Sequence, residues 1–132
     1  MADLTKYADL IERLEKVTGP DRGIDRDIAE HIVGTKYRST QRGREWLEDS
    51  HGGVETWTRY PVPYTASIDA AIALIEKILP GSELEITNLY GVARVTLHDV
   101  ENSFHGSDPC NRINTALLIA LFRTLEAKAG AA

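Results

Sequence analysis

The chain has 132 residues, one domain's worth, and a domain of this size hides roughly two-thirds of its unfolded surface on folding, enough for a core without disulfide staples. Hydrophobic residues at 42% and charged residues at 27% are ordinary globular values. A formal charge of −5 argues against attraction of the whole surface to nucleic acid or anionic membrane, and leaves only a local basic patch for such partners. Cys110 is the only cysteine, so no intrachain disulfide can form and the chain suits a reducing cytoplasm. Met-Ala-Asp-Leu-Thr-Lys at the start lacks the basic-then-apolar run of a secretory signal. The longest apolar run, Ala116 to Phe122, is too short to span a bilayer. The expectation is a cytoplasmic protein without a membrane partner.

Leu4, Tyr7, Ile11 and Leu14 recur at three- and four-residue steps and predict a helix over about 4–17, ended by Gly19-Pro20. Asp21 is placed to cap a second helix over about 22–33, which carries Ile24, Ile28, Ile32 and Val33 and closes at Gly34. Residues 35–63 are expected to be irregular. They hold Lys36, Arg38, Arg42 and Arg44 with no acid between them, then Glu45, Glu48 and Asp49, then a His51-Gly52-Gly53 turn. Val54 to Tyr60, rich in β-branched and aromatic residues, is a candidate strand before Pro61-Val62-Pro63.

Ser67 or Thr65 can cap a third helix over about 67–79, whose stripe is Ile68, Ala71, Ile72, Ile75, Ile78 and Leu79, stopped by Pro80-Gly81. The period then changes to two. Leu84 and Ile86 alternate with Glu83, Glu85 and Thr87, and Ala93, Val95 and Leu97 alternate with Arg94, Thr96 and His98, which reads as a hairpin over about 83–98 around Asn88–Gly91. Pairing residue 87 with 92 places Glu85 opposite Arg94, Ile86 opposite Ala93 and Leu84 opposite Val95. Glu101 to Ser107 reads as a loop, and Asp108-Pro109 as the start of a last helix over about 109–128, apolar on nearly all sides between Ala116 and Phe122. The expected fold is therefore α+β, a single domain of helices packed on a small antiparallel sheet, with 54–60 as a third strand. The third helix is expected to organise the domain by lying on the hairpin.

Thr18-Gly-Pro-Asp-Arg22 with Ile24-Asp25 and Ile28-Ala29, then Tyr64-Thr-Ala-Ser-Ile-Asp-Ala-Ala71, then an apolar carboxy-terminal helix, resembles the phage ABA sandwich domain family. The likeness spans most of the chain and is poorest over 35–53. Where a typical member has Thr-Pro-Ala-Leu-Ala-Leu-Cys in the last helix, this chain has Asn114-Thr-Ala-Leu-Leu-Ile-Ala120. The resemblance implies a layered α/β/α sandwich and a phage or prophage setting, and it carries no catalytic residues to transfer.

Three chemistries compete. His98, Asp99, His105 and Cys110 are zinc-type ligands, but their spacings are irregular and include no Cys-Xaa-Xaa-Cys, so no metal or cofactor is expected. Cys110 with His105 or His98 as base would make a nucleophile pair, opposed by Asp108 and lacking an orienting third group, so an enzyme ranks last. The basic and aromatic segment is the leading candidate: Arg38, Arg42, Arg44, Trp46, Trp57, Arg59 and Tyr60, with Lys36 and Tyr37, are residue types that dominate protein-binding surfaces. They also suit phosphate contact and base stacking, the second reading. The bland alternative is that the aromatics close the domain edge while the arginines pair with Glu45, Glu48 and Asp49.

Overall fold

The computed structural model describes residues 5–17, 20–49, 51–56, 62–89, 92–98, 103–108 and 112–130. Helix α1 spans Thr5–Lys16, and α2, Arg22–Asp27, runs on as a π-helical turn, Ile28–Val33. Strands β1 (Lys36–Ser39), β2 (Glu45–Glu48) and β3 (Val54–Thr56) form one antiparallel sheet. Helix α3 (Ile68–Ile78) precedes a second antiparallel sheet of β4 (Glu83–Leu89), β5 (Val92–His98) and β6 (Ser103–Asp108), and α4 (Ile113–Gly130) closes the order.

The punctuation behaves as its chemistry requires. Asp21 caps α2 by accepting from the Ile24 amide at 3.0 Å, and Ser67 caps α3 by accepting from Ala70 at 3.2 Å. Gly34 ends the π-helical turn in the left-handed region at φ 84°, where the Thr35 amide reaches back to the Ala29 carbonyl at 2.7 Å. Gly81, also left-handed, turns the chain after α3.

The α+β class and the packing of helices on an antiparallel sheet are as expected, but the organising element is α4 rather than α3. Residues 115–122 are all buried, and so is Thr124, whose hydroxyl donates to the Ala120 carbonyl at 2.8 Å. β5 and β6 cover α4 on one side, while α1 and α3 pack elsewhere along it. The layers thus run sheet, α4, then α1, with the helix in the middle. Ala71, Leu74 and Ile75 are the buried face of α3; Ile68, expected in its stripe, is 42% exposed. Leu10 joins Ile11 and Leu14 as the buried stripe of α1.

Three strand expectations are corrected. The hairpin pairs Glu83 with His98 and Leu89 with Val92, so Ile86 faces Val95, Leu84 faces Leu97 and Glu85 faces Thr96. This is a two-residue slip from the expected register. It preserves which side chains face the core, because sheet faces alternate with period two, and it shortens the connection to two residues. Residues 103–107, expected as loop, and Asp108, expected to start the last helix, form β6, paired with β5 from His98–Ser103 to Ala93–Asp108. Phe104 is the only large apolar residue there, and Gly106 is small for a steric reason: a Cβ on it would collide with the α4 backbone at the Ala116 carbonyl and come within 2.7 Å of the Ala120 nitrogen. With Asp108 ending β6, α4 begins at Ile113 instead of Pro109. Lastly, the strand at Val54 is not a third strand of the hairpin sheet. It pairs with β2 and is described only to Thr56, and 35–63, expected to be irregular, contains the whole first sheet.

Replacing Gly106 by Ala should therefore push β6 off α4. A loss of about 2–3 kcal/mol of unfolding free energy is expected, measured as a lower urea midpoint at unchanged slope.

Candidate functional site

The first sheet stands apart from the main core. Its one buried apolar residue among those described, Leu47, is absent from the cluster that joins the helices to β5. β1 and β2 pair Lys36 with Glu48, Tyr37 with Leu47, Arg38 with Trp46 and Ser39 with Glu45. Strand alternation puts Lys36, Arg38, Trp46 and Glu48 on one face, and Tyr37, Ser39, Glu45 and Leu47 on the other. All four β1 residues are exposed, with Tyr37 at 50%.

The tip between the strands carries Arg42 and Arg44, both exposed. The Thr40 amide donates to the Arg44 carbonyl at 2.9 Å and the Gly43 amide to Thr40 at 3.0 Å, and Gly43 sits at φ 83°. The next turn is held by Asp49, whose carboxylate accepts from the amides of His51 at 2.8 Å and Gly53 at 2.9 Å. Those two donors hold its pKa below the ordinary aspartate value.

Of the candidate residues, Arg38, Arg42, Arg44 and Trp46 thus share one projecting hairpin. Trp57, Arg59 and Tyr60 lie outside the described residues. Part of the expected neutralisation is present, since Arg38 meets Glu48 at 3.4 Å; Glu45 instead accepts from the Tyr37 hydroxyl at 2.8 Å. Asp49, expected as an arginine partner, is instead bound to its own turn.

His98 and His105 lie on the solvent-facing side of the second sheet, on adjacent strands. His98 Nε2 is 3.1 Å from Glu85, and its Nδ1 is 2.7 Å from the Ser103 hydroxyl. A neutral ring that donates to the carboxylate accepts from the serine, so Ser103, His98 and Glu85 form a nucleophile–base–orienter line in outline. Among the described residues it lies on an open strand face, with the Glu85 side chain 68% exposed. His105 Nδ1 is 3.0 Å from the Thr96 hydroxyl, and Asp99 and Cys110 fall outside the described residues.

Two arrangements escaped the sequence reading. Asp27, Glu30 and His31, on one face of α2 and its π-helical turn, offer ligand atoms within 4.8 Å of one another beside a groove along α1. Arg13 of α1 forms an ion pair with Asp27, whose hydrogen bond raises the arginine pKa further. A cation there would compete with a guanidinium already in place. Its signal was the three-then-one spacing of ligand types on a helix.

The other is a buried polar junction. Asp25 is 1% exposed, and its carboxylate accepts from the Thr65 amide at 2.8 Å and the Thr65 hydroxyl at 2.9 Å. The Asp21 amide donates to the Thr65 hydroxyl oxygen at 2.8 Å, and the Asn114 side-chain amide donates to the Thr65 carbonyl. Asp21, Asp25 and Thr65 all belong to the motifs quoted above, which gave no hint that they meet.

Comparison with known protein families, with characterised proteins and with solved structures finds no match to this chain.

Burial raises the Asp25 pKa, and the hydrogen bonds from Thr65 only partly offset this. As pH rises the unfolded chain therefore loses this proton first, so the stabilising contribution is complete below the unfolded pKa and is lost as pH rises through the folded one. Asp25→Asn should match the wild type most closely near pH 4 and gain on it toward pH 7, read as the difference in unfolding free energy across that range.

Proposed function

We propose that this chain is a small phage or prophage accessory protein acting by non-enzymatic binding, with the β1–β2 hairpin meeting the acidic surface of another protein in the bacterial cytoplasm. The observation that carries the reading is the hairpin itself. Its strand Lys36–Ser39 is wholly exposed, its tip presents Arg42 and Arg44, and it stands on a sheet outside the main core. Arginine and aromatic side chains on a projecting element can enter a partner's pockets without disturbing the fold that carries them. The net charge of −5 favours a protein over a polyanion, since a nucleic acid would be repelled by most of the remaining surface. The phage setting rests on the motif resemblance. No helix among the described residues is long and apolar enough to cross a membrane.

A second reading has its own observation. Arg38 and Trp46 are cross-strand neighbours on one face, a pairing suited to gripping a phosphate beside a stacked base. An enzyme built on Ser103, His98 and Glu85 ranks third, because that line faces open solvent.

Affinity purification from the host with nuclease controls, repeated with Arg42→Glu/Arg44→Glu, tests the proposal. A protein partner that survives nuclease and falls at least about tenfold with the double variant supports it. Recovery undiminished by charge reversal defeats it. Binding to single-stranded nucleic acid with a log–log salt slope of about −3 selects the second reading.

A further inference from the structure

Among the described residues, no helix or strand covers the outer edge of the second sheet. β4 is an edge strand of seven residues, and Glu83, Glu85, Ile86 and Thr87 are all exposed. On the inner side α4 packs over β5 and β6, and of β4's inner residues Leu84 packs against the core while Ile86 lies outside it. Ile86 is consequently 41% exposed, although Val95, its partner on the same side, is fully buried.

Edges that remain single are blunted by lysine, proline, bulges or a covering element. β1 carries Lys36 and Arg38, and on β6 Arg123 donates to the His105 carbonyl at 2.8 Å. β4 has no lysine and no proline, its only charges are Glu83 and Glu85 on the outer face, and it keeps an unbroken register with β5 along its length.

We propose that β4 pairs antiparallel with β4 of a second copy of this chain, joining two three-stranded sheets into one of six strands. The register follows from the side chains. A two-fold axis through residue 86 sets Ile86 against Ile86 of the partner subunit on the inner side, and Glu85 opposite the partner's Thr87 on the outer side. An axis through residue 85 would oppose two glutamates, and one through residue 87 would draw the two isoleucines apart. A one-residue slip would turn each inner face outward.

Charge supports the same axis. Thr87 is paired with Arg94, so the row across the joined sheet runs Glu85, the partner's Thr87, the partner's Arg94. Arg94 is exposed and has no acidic partner among the described residues. Glu85, which already meets His98 at 3.1 Å, can reach over the small threonine to the arginine of the other copy. The symmetry supplies that ion pair twice.

The test is sedimentation velocity at about 100 μM, where a micromolar dimer is saturated. The wild type should show twice the 14.6 kDa chain mass, and Ile86→Lys should return it to the single-chain mass with its far-ultraviolet circular dichroism unchanged. Under mild oxidation Ile86→Cys should form a dimer linked through position 86, as mapped by mass spectrometry, because opposed antiparallel residues have Cα atoms at about 5 Å, within disulfide reach. A wild type that sediments as a single chain overturns the proposal. So does a dimer that Ile86→Lys leaves intact, or an Ile86→Cys protein that yields no link between the two copies at that position.

Discussion

A helix that is apolar on nearly every side is stable in water only when other elements wrap it, and α4 imposes that condition on the whole chain. Its residues 115–122 leave no polar stripe to turn outward. β5 and β6 take one side, α1 and α3 take others, and the strand comes close to the helix backbone at Gly106, beside Ala116 and Ala120. Those alanines lie one turn apart, so small residues on both elements let the layers come together. Arg123, at the edge of the buried run, ties both neighbours to the helix: it donates to the His105 carbonyl of β6 and pairs with Glu15 of α1 at 3.7 Å.

The buried junction does a different task. Hydrophobic contact says little about which of several similar helices goes where, because it lacks direction. The Asp25 carboxylate, held by the amide and hydroxyl of Thr65, and the Asn114 amide on the Thr65 carbonyl accept only one relative placement of three segments far apart in sequence. Removing water from a carboxylate is costly, and these bonds offset part of that cost. What the junction contributes is directional: it orients the start of α2, the approach to α3 and the first turn of α4 together.

Sequence periodicity located the parts of the fold where one face is buried and the other wet. The α1, α2 and α3 helices, their caps at Asp21 and Ser67, and the two faces of the β4–β5 hairpin were legible for that reason. The hairpin register was not, since a two-residue slip leaves the alternation intact. β6 was hidden because Phe104 is its only large apolar inward residue and the next inward position, Gly106, is a glycine, chosen for closeness to a helix that the local sequence does not reveal. The β1–β3 sheet was hidden because four exposed residues in β1 leave no apolar alternation to detect. Of the binding segment, the clustering of Arg38, Arg42, Arg44 and Trp46 on one hairpin was foreseen as a stretch of sequence and not as an element. The Asp25–Thr65 contact spans forty residues, and nothing local announces it.

That contact also closes a circuit. The chain leaves the packed body at Thr35, makes the first sheet, and is back inside it at Tyr64, with both of those residues buried and the Asp25–Thr65 bonds fastening the ends of the excursion. Since the entropy of closing such a circuit grows only with the logarithm of its length, what lies between can lengthen, shorten or change its charge at little expense to the rest. The architecture therefore frees this stretch to diversify rapidly from one descendant to the next while the α4-centred body stays fixed, and makes it the natural place to graft a foreign recognition loop.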